Sequence, residues 1–158
     1  MRIEQAQKIA DKYVRLLSPY CKRIEIAGSI RRKKAEVGDI EIVCIRNTKY
    51  LAGFVMEVNK LKKIKGSPLG RYTQRELPEE IVLDLFMCRP ENWGLMFAIR
   101  TGSAEFSHHT LGRAWVRAGY KCDDGMLFKD QRHIPVYEEE DLFKLLGINY
   151  IQPEFRIG

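Results

Sequence analysis

Three acidic residues stand where acids are costly. Residues 38–45, GDIEIVCI, alternate strictly, with Ile40, Ile42 and Cys44 on one face and Asp39, Glu41 and Val43 on the other. Asp39 and Glu41 therefore project from one strand face, and two neighbouring like charges repel unless solvent or a cation neutralises them. Asp84 interrupts EIVLDLFMC at 80–88, an otherwise apolar strand, where a lone acid is unfavourable unless it is paired or holds a metal. If the two strands are neighbours, the three carboxylates converge into an all-oxygen site suited to Mg²⁺, with Mn²⁺ as the alternative. Two such ions about 3.5–4 Å apart clamp an in-line phosphoryl displacement. The same spacing also fits solvent-facing acids on a half-exposed sheet.

The residues ahead of these acids favour chemistry on phosphate. Gly28-Ser29 follow a short strand, Ile24–Ala27, and precede Arg31-Arg32. Gly28 lacks a Cβ, so a phosphate can approach the backbone. Ser29 sits where a helix begins, with N–H groups and a hydroxyl to donate. Arg32, one turn on, reaches the same point with a planar fork of donors. Strand, Gly-Ser, Arg-Arg, then Gly-Asp-x-Glu places phosphate donors directly before metal ligands. The run Arg31–Lys34 also reads as a solvated charge run, most readily at Lys33 and Lys34.

The elements that must position these residues follow from periodicity. Residues 4–17 put Ala6, Ile9, Ala10, Tyr13, Val14 and Leu17 on one helical face, and Ser18-Pro19 ends that helix. Tyr50–Leu61 predicts a second helix, Lys62–Gly66 and Arg71–Glu76 two extended pieces, and 80–88 the strand carrying Asp84. Arg89-Pro90 breaks the chain. Beyond it Asn92–Arg100 and Ser103–Arg117 predict helices, residues 119–137 a small sheet with a turn at Asp123-Asp124-Gly125, and Glu138–Leu146 a last helix led by acids.

Composition narrows the class. The 158 residues are 45% hydrophobic, enough for a packed core, and 27 Lys and Arg against 21 Asp and Glu leave a net charge of +6. That excess suits a polyanion such as nucleic acid. Cys21, Cys44, Cys88 and Cys122 form no CxxC pair, which argues against zinc, and Cys44 and Cys88 fall in apolar strands as buried free thiols. The amphipathic N-terminus has no signal-peptide character and no apolar run spans a membrane, so a soluble protein of a reducing, cytoplasmic compartment is expected.

Taken together, GSIRRKKAEVGDIEIV resembles the nucleotidyltransferase signature of family X DNA polymerases, the DNA polymerase beta group. In that family a Gly-Ser and paired arginines precede Gly-Asp-x-Asp, and a third Asp lies on a later strand, here Asp84. TGSAEF at 101–106 is similar to the family's thumb turn and following helix, GYKCDDGMLF to its small thumb sheet, and EEEDLFKLLGINYIQPEFRIG to its C-terminal ending. The resemblance covers roughly residues 20–158.

The resemblance implies an α+β fold: a nucleotidyltransferase palm over 1–90, a mixed sheet with helices, followed over 91–158 by a small helical thumb with a short antiparallel sheet. It implies that Asp39, Glu41 and Asp84 bind the metals, that Asp84 helps activate the primer 3′-hydroxyl, that Gly28, Ser29, Arg32 and Gly38 hold the incoming triphosphate, and that Thr101 and Gly102 lie beside its sugar and base. The expected function is addition of deoxynucleotides to a primer end or short gap in DNA, in repair or replication. The expected partners are DNA and deoxynucleoside triphosphates, with no membrane, and the chain is expected to be a monomer. Departures from the family pattern are Glu41 for the usual Asp, Ile99-Arg100 for the usual Tyr-Phe, Ser107 for a common Asn, Phe86 for a common Arg, and a helix at 103–117 one residue longer than usual. No lyase or helix-hairpin-helix segment is recognised, so DNA affinity is expected from Lys and Arg of palm and thumb or from an accessory DNA-binding protein. The rival readings are a nucleotidyltransferase acting on a small molecule, RNA or protein, and a non-catalytic DNA-binding subunit.

Overall fold

The structure, a computed structural model, describes residues 1–157. The chain divides into two compact units, Met1–Cys88 and Arg89–Gly158.

The first unit is a five-stranded sheet covered by helices. In chain order it runs α1 (Ile3–Leu17), β1 (Cys21–Ile26), α2 (Gly28–Arg31), β2 (Asp39–Arg46), α3 (Leu51–Asn59), β3 (Lys62–Gly66), β4 (Tyr72–Glu76) and β5 (Val82–Met87). The spatial order is β1-β2-β5-β4-β3. β2 and β5 run parallel, and every other pair is antiparallel. The apolar stripe of α1 is buried as its spacing predicts, and Ala6, Ile9, Ala10, Tyr13 and Leu17 pack with Phe54 and Val58 of α3 against Ile40, Ile42, Leu83, Leu85 and Met87. The alternating residues Asp39, Glu41, Asp84 and Phe86 therefore stand on the other face of the sheet.

Several boundaries differ from the sequence reading, and β1 spans Cys21–Ile26 rather than Ile24–Ala27. β5 starts at Val82 rather than Glu80, because Glu80 adopts φ +63 in a turn closed by the Leu77 and Ile81 backbones. The helix expected from Tyr50 starts at Leu51, after a 3₁₀ turn over Thr48–Tyr50 capped by the Asn47 side chain. β3 is an edge strand with all five residues exposed, three of them lysines, a composition that discourages pairing with another chain.

The second unit holds α4 (Trp93–Thr101), a π-helical segment (Phe106–Gly112) continuing into α5 (Arg113–Arg117), an antiparallel sheet of β6 (Lys121–Asp123), β7 (Met126–Lys129) and β8 (Arg132–Ile134), and α6 (Glu139–Leu145). Its core joins Leu95, Ala98, Phe106, Leu111, Leu127 and Phe143. Gly94 lets α4 approach the start of α6, since a Cβ there would lie 2.3 Å from the Glu138 backbone. The expected uninterrupted α-helix over 103–117 is corrected: Phe106–Gly112 is π-helical, with its backbone bonds reaching one residue further than in an α-helix, and only Arg113–Arg117 is a regular α-helix. Among the described residues no helix is long and apolar enough to cross a membrane.

Candidate active site

Parallel pairing of β2 with β5 sets Glu41 directly opposite Asp84, with Asp39 one step along. The Asp39 and Asp84 carboxylates come within hydrogen-bonding reach of each other, and Asp84 is only 7% exposed. Burial, reinforced by the adjacent Asp84 carboxylate, pushes Asp39 up to about 6. Glu41 turns elsewhere. Its carboxylate occupies the space a side chain at Gly28 would fill, so that a Cβ on Gly28 would lie 1.9 Å from Glu41 Oε2. Gly28 also adopts φ +62, in the left-handed region that glycine alone takes without strain. Glycine is thus required twice at this position.

The turn beyond is built from backbone. The Ala27 N–H donates to the Glu41 carbonyl at 2.8 Å, pinning the turn to β2, and the Arg32 and Lys34 N–H groups donate to the carbonyls of Gly28 and Ser29. Arg32 is partly buried, which lowers its pKa, while the charges of Glu41 and Asp39 oppose that shift. Its guanidinium therefore lies in the field of both acids. Gly38 differs from Gly28: its φ is not left-handed and a Cβ there would meet nothing within 4 Å. Nothing in the fold itself requires glycine at 38.

The third acid has partners that the sequence reading did not include. Tyr72 Oη donates to Asp84 Oδ1 at 2.5 Å, and Gln74 Nε2 donates to the same oxygen at 2.9 Å. Gln74 stands opposite Asp84 in the β4–β5 register, and Tyr72 opposite Phe86. The signal was the alternation in YTQRE, which puts Tyr72 and Gln74 on one strand face; missing was the knowledge that this strand adjoins β5.

The structure thus brings Asp39 and Asp84 together and sets Glu41, Gly28 and Arg32 beside them. Among the described residues, no three acids, histidines or cysteines are already gathered into a cage for an ion. The donor set nevertheless fits a hard divalent cation. It is all oxygen, and two carboxylates in mutual contact at the cost of a raised pKa are what such a cation relieves.

Thr101 and Gly102 belong to the second unit. Thr101 is fully buried, so Gly102 alone of the pair presents surface. A Cβ on Gly102 would lie 2.6 Å from the Phe106 ring, so packing within this unit already requires the glycine. Ser103 caps the next segment, its Oγ accepting from the Phe106 N–H at 3.0 Å, and Ser107 Oγ donates to the Ile99 carbonyl at 2.7 Å.

Residues 97–157 match the DNA polymerase beta thumb family. A crystal structure of Leishmania infantum polymerase beta, described as a ternary P/T complex, is similar over 100% of this chain and 77% of its own, with a TM-score of 0.75 at 18% identity. The fold is DNA polymerase beta-like. No curated protein matches it in sequence. The residues that match the thumb family lie within the second unit. In the second unit a buried ion pair joins Arg156 to Glu139, 2.6 Å between Nη1 and Oε2, with side chains 0% and 4% exposed. Arg156 Nε also donates to the Ile151 carbonyl, and the Arg156 carbonyl accepts from the Ser103 N–H. The C-terminal tail is thereby fastened to the turn that opens the π segment. His108 and His109 are exposed on that segment, their rings 4.9 Å apart. Trp93 is buried, whereas Trp115 is only partly so.

Proposed function

We propose that this chain is a metal-dependent nucleotidyltransferase that adds deoxynucleotides to the 3′ end of DNA at a primer terminus or short gap. The observation that carries the reading is the contact between the Asp39 and Asp84 carboxylates on adjacent parallel strands, beside Glu41 and the Gly28-Ser29 turn. The Leishmania infantum structure, named as a ternary P/T complex, supports DNA as the acceptor, as does the net charge of +6.

Asp39, Glu41 and Asp84 would hold Mg²⁺ or Mn²⁺. The metal would supply charge neutralisation at the transferring phosphoryl group and lower the pKa of the attacking hydroxyl. The chain's own residues do the positioning. The Gly28-Ser29 turn and Arg32 offer donors to the triphosphate. Asp84, with Oδ1 fixed by Tyr72 and Gln74, holds a carboxylate toward Asp39 in a largely water-excluded setting. Gly38 leaves open room at the start of β2 for a substrate to pass close to the backbone. Rate enhancement comes from orientation and preorganised charge rather than from a covalent intermediate.

The test is primer extension on gapped and primer-template DNA with Mg²⁺, comparing the native chain with Asp84→Asn and Asp39→Asn. Metal-dependent incorporation by the native chain, lost by more than about a hundredfold in both variants with the melting temperature retained, supports the reading. DNA binding without incorporation would support the accessory-subunit reading instead. Transfer to RNA or a small molecule in preference to DNA would move the chain to another class of nucleotidyltransferase.

A further inference from the structure

We propose that Tyr72 and Gln74 are positioning residues that fix the Asp84 carboxylate for divalent-metal binding, an inference that rests on the nucleotidyltransferase reading of the Asp39–Asp84 pair. Two donors, two residues apart on one face of a single strand, converge on one oxygen, Asp84 Oδ1, at 2.5 and 2.9 Å. Together they stop rotation of the carboxylate, leaving its second oxygen as the one without these donors. Hydrogen bonds to an ionised acceptor are among the stronger ones. Partners of this kind around a metal-binding carboxylate orient it before the ion arrives.

Both donors are themselves held. The Tyr72 ring stacks on Phe86 with centroids 4.9 Å apart and planes at 28°, and Lys65 Nζ lies 5.6 Å from the Tyr72 centroid. Phe86 is buried, and the pair is in direct cross-strand register. Gln74 stands directly opposite Asp84 across the ladder, where facing side chains meet. Since β4 is an interior strand, between β5 and β3, neither donor sits on a freely moving edge. The stack makes Phe86 part of the same device: it fills the position two residues beyond Asp84 with a ring that anchors Tyr72.

A structural alternative is that the donors merely satisfy a buried acid. The two roles separate in measurement. A structural role predicts that removing a donor lowers the melting temperature and leaves metal affinity alone. A positioning role predicts weaker metal binding by a folded protein. Tyr72→Phe keeps the ring and its stack and removes only the hydroxyl; Gln74→Leu removes the amide at nearly constant volume. Each full-length variant is compared with the native chain in thermal unfolding, in Mn²⁺ binding to the protein without DNA or nucleotide, read from the free-Mn²⁺ electron paramagnetic resonance signal, and in primer extension across a Mg²⁺ series.

The expected result is Mn²⁺ affinity about tenfold weaker in each variant, a matching rise in the Mg²⁺ needed for half-maximal extension, and an unchanged KM for primer. Native Mn²⁺ affinity in both variants overturns the proposal, and if extension by the native chain is still abolished in Asp84→Asn, the polymerase reading stands without it. Weakened Mn²⁺ binding in the variants, with no extension by any form, upholds the positioning role and removes the polymerase reading. Absence of Mn²⁺ binding by the native chain overturns both.

Discussion

Gly28 and Glu41 occupy the same small space. The missing side chain of one is where the carboxylate of the other lies, with a Gly28 Cβ only 1.9 Å from Glu41 Oε2. Gly28→Ala must therefore displace Glu41 and also bear a left-handed backbone, which costs about 1–2 kcal/mol by itself. In a Glu41→Asp background the shorter acid withdraws from the clash, and the alanine should cost less there. A double-mutant cycle on chemical denaturation checks this. Equal costs in the two backgrounds would mean that the residues do not share the space.

Gly38 gives the opposite expectation. With an ordinary φ and open space around it, Gly38→Ala should leave stability within about 0.5 kcal/mol of native. If the turn accepts a triphosphate, the same substitution should raise KM for the incoming nucleotide several-fold. Thermal unfolding and steady-state extension measured on one preparation make the comparison, and an unchanged KM would remove Gly38 from the binding surface.

In the second unit, Glu139 pairs with the fully buried Arg156, which also supports the tail through the Ile151 carbonyl. Glu139→Gln leaves the guanidinium buried without its counter-charge and should cost about 3–5 kcal/mol. Substituting both partners by apolar residues of similar volume should cost much less, since the penalty lies in the orphaned charge. Calorimetry of the single and double variants distinguishes the two effects.

Glu79 gives a pH signature. Burial raises its pKa, but hydrogen bonds from Tyr13 and Lys12 outweigh that and hold the carboxyl below its usual range. A folded value below the unfolded one means the stabilisation is complete above the unfolded pKa of about 4.3. It disappears as pH falls further, through the folded value. Glu79→Gln should lower stability at neutral pH and flatten its decline in acid. Parallel declines in both proteins between neutral pH and acid would show that this carboxyl does not contribute.

Much of the first unit was legible because its signals are local. The helical spacing of Ala6, Ile9, Ala10, Tyr13 and Leu17 and the alternation of GDIEIVCI each need only one element to be read correctly, and each is buried as read. The helices and the small antiparallel sheet of the second unit likewise followed from such patterns, whereas the mixed sheet of the first was an implication of the family resemblance. What was not legible depends on neighbours. Tyr72 and Gln74 become partners of Asp84 only once β4 pairs with β5. Glu41 faces the same side of the sheet as Asp39, as alternation requires, yet its longer side chain reaches Gly28. The helical character of 103–117 was visible, but no propensity says that part of it will widen into a π segment. Thr101 carries a motif's signature and is nonetheless enclosed.

The parallel alignment of β2 with β5 has a kinetic consequence. A helix and two further strands separate these neighbours along the chain, so their pairing closes a long loop before any contact rewards it. The two acids meet only at that closure, whereas α1 and the β1–β2 hairpin form from nearer segments. During refolding, recovery of the Asp39–Asp84 encounter should trail the return of helical signal, and nucleotide incorporation would serve as a clock for the last long-range step in building the sheet.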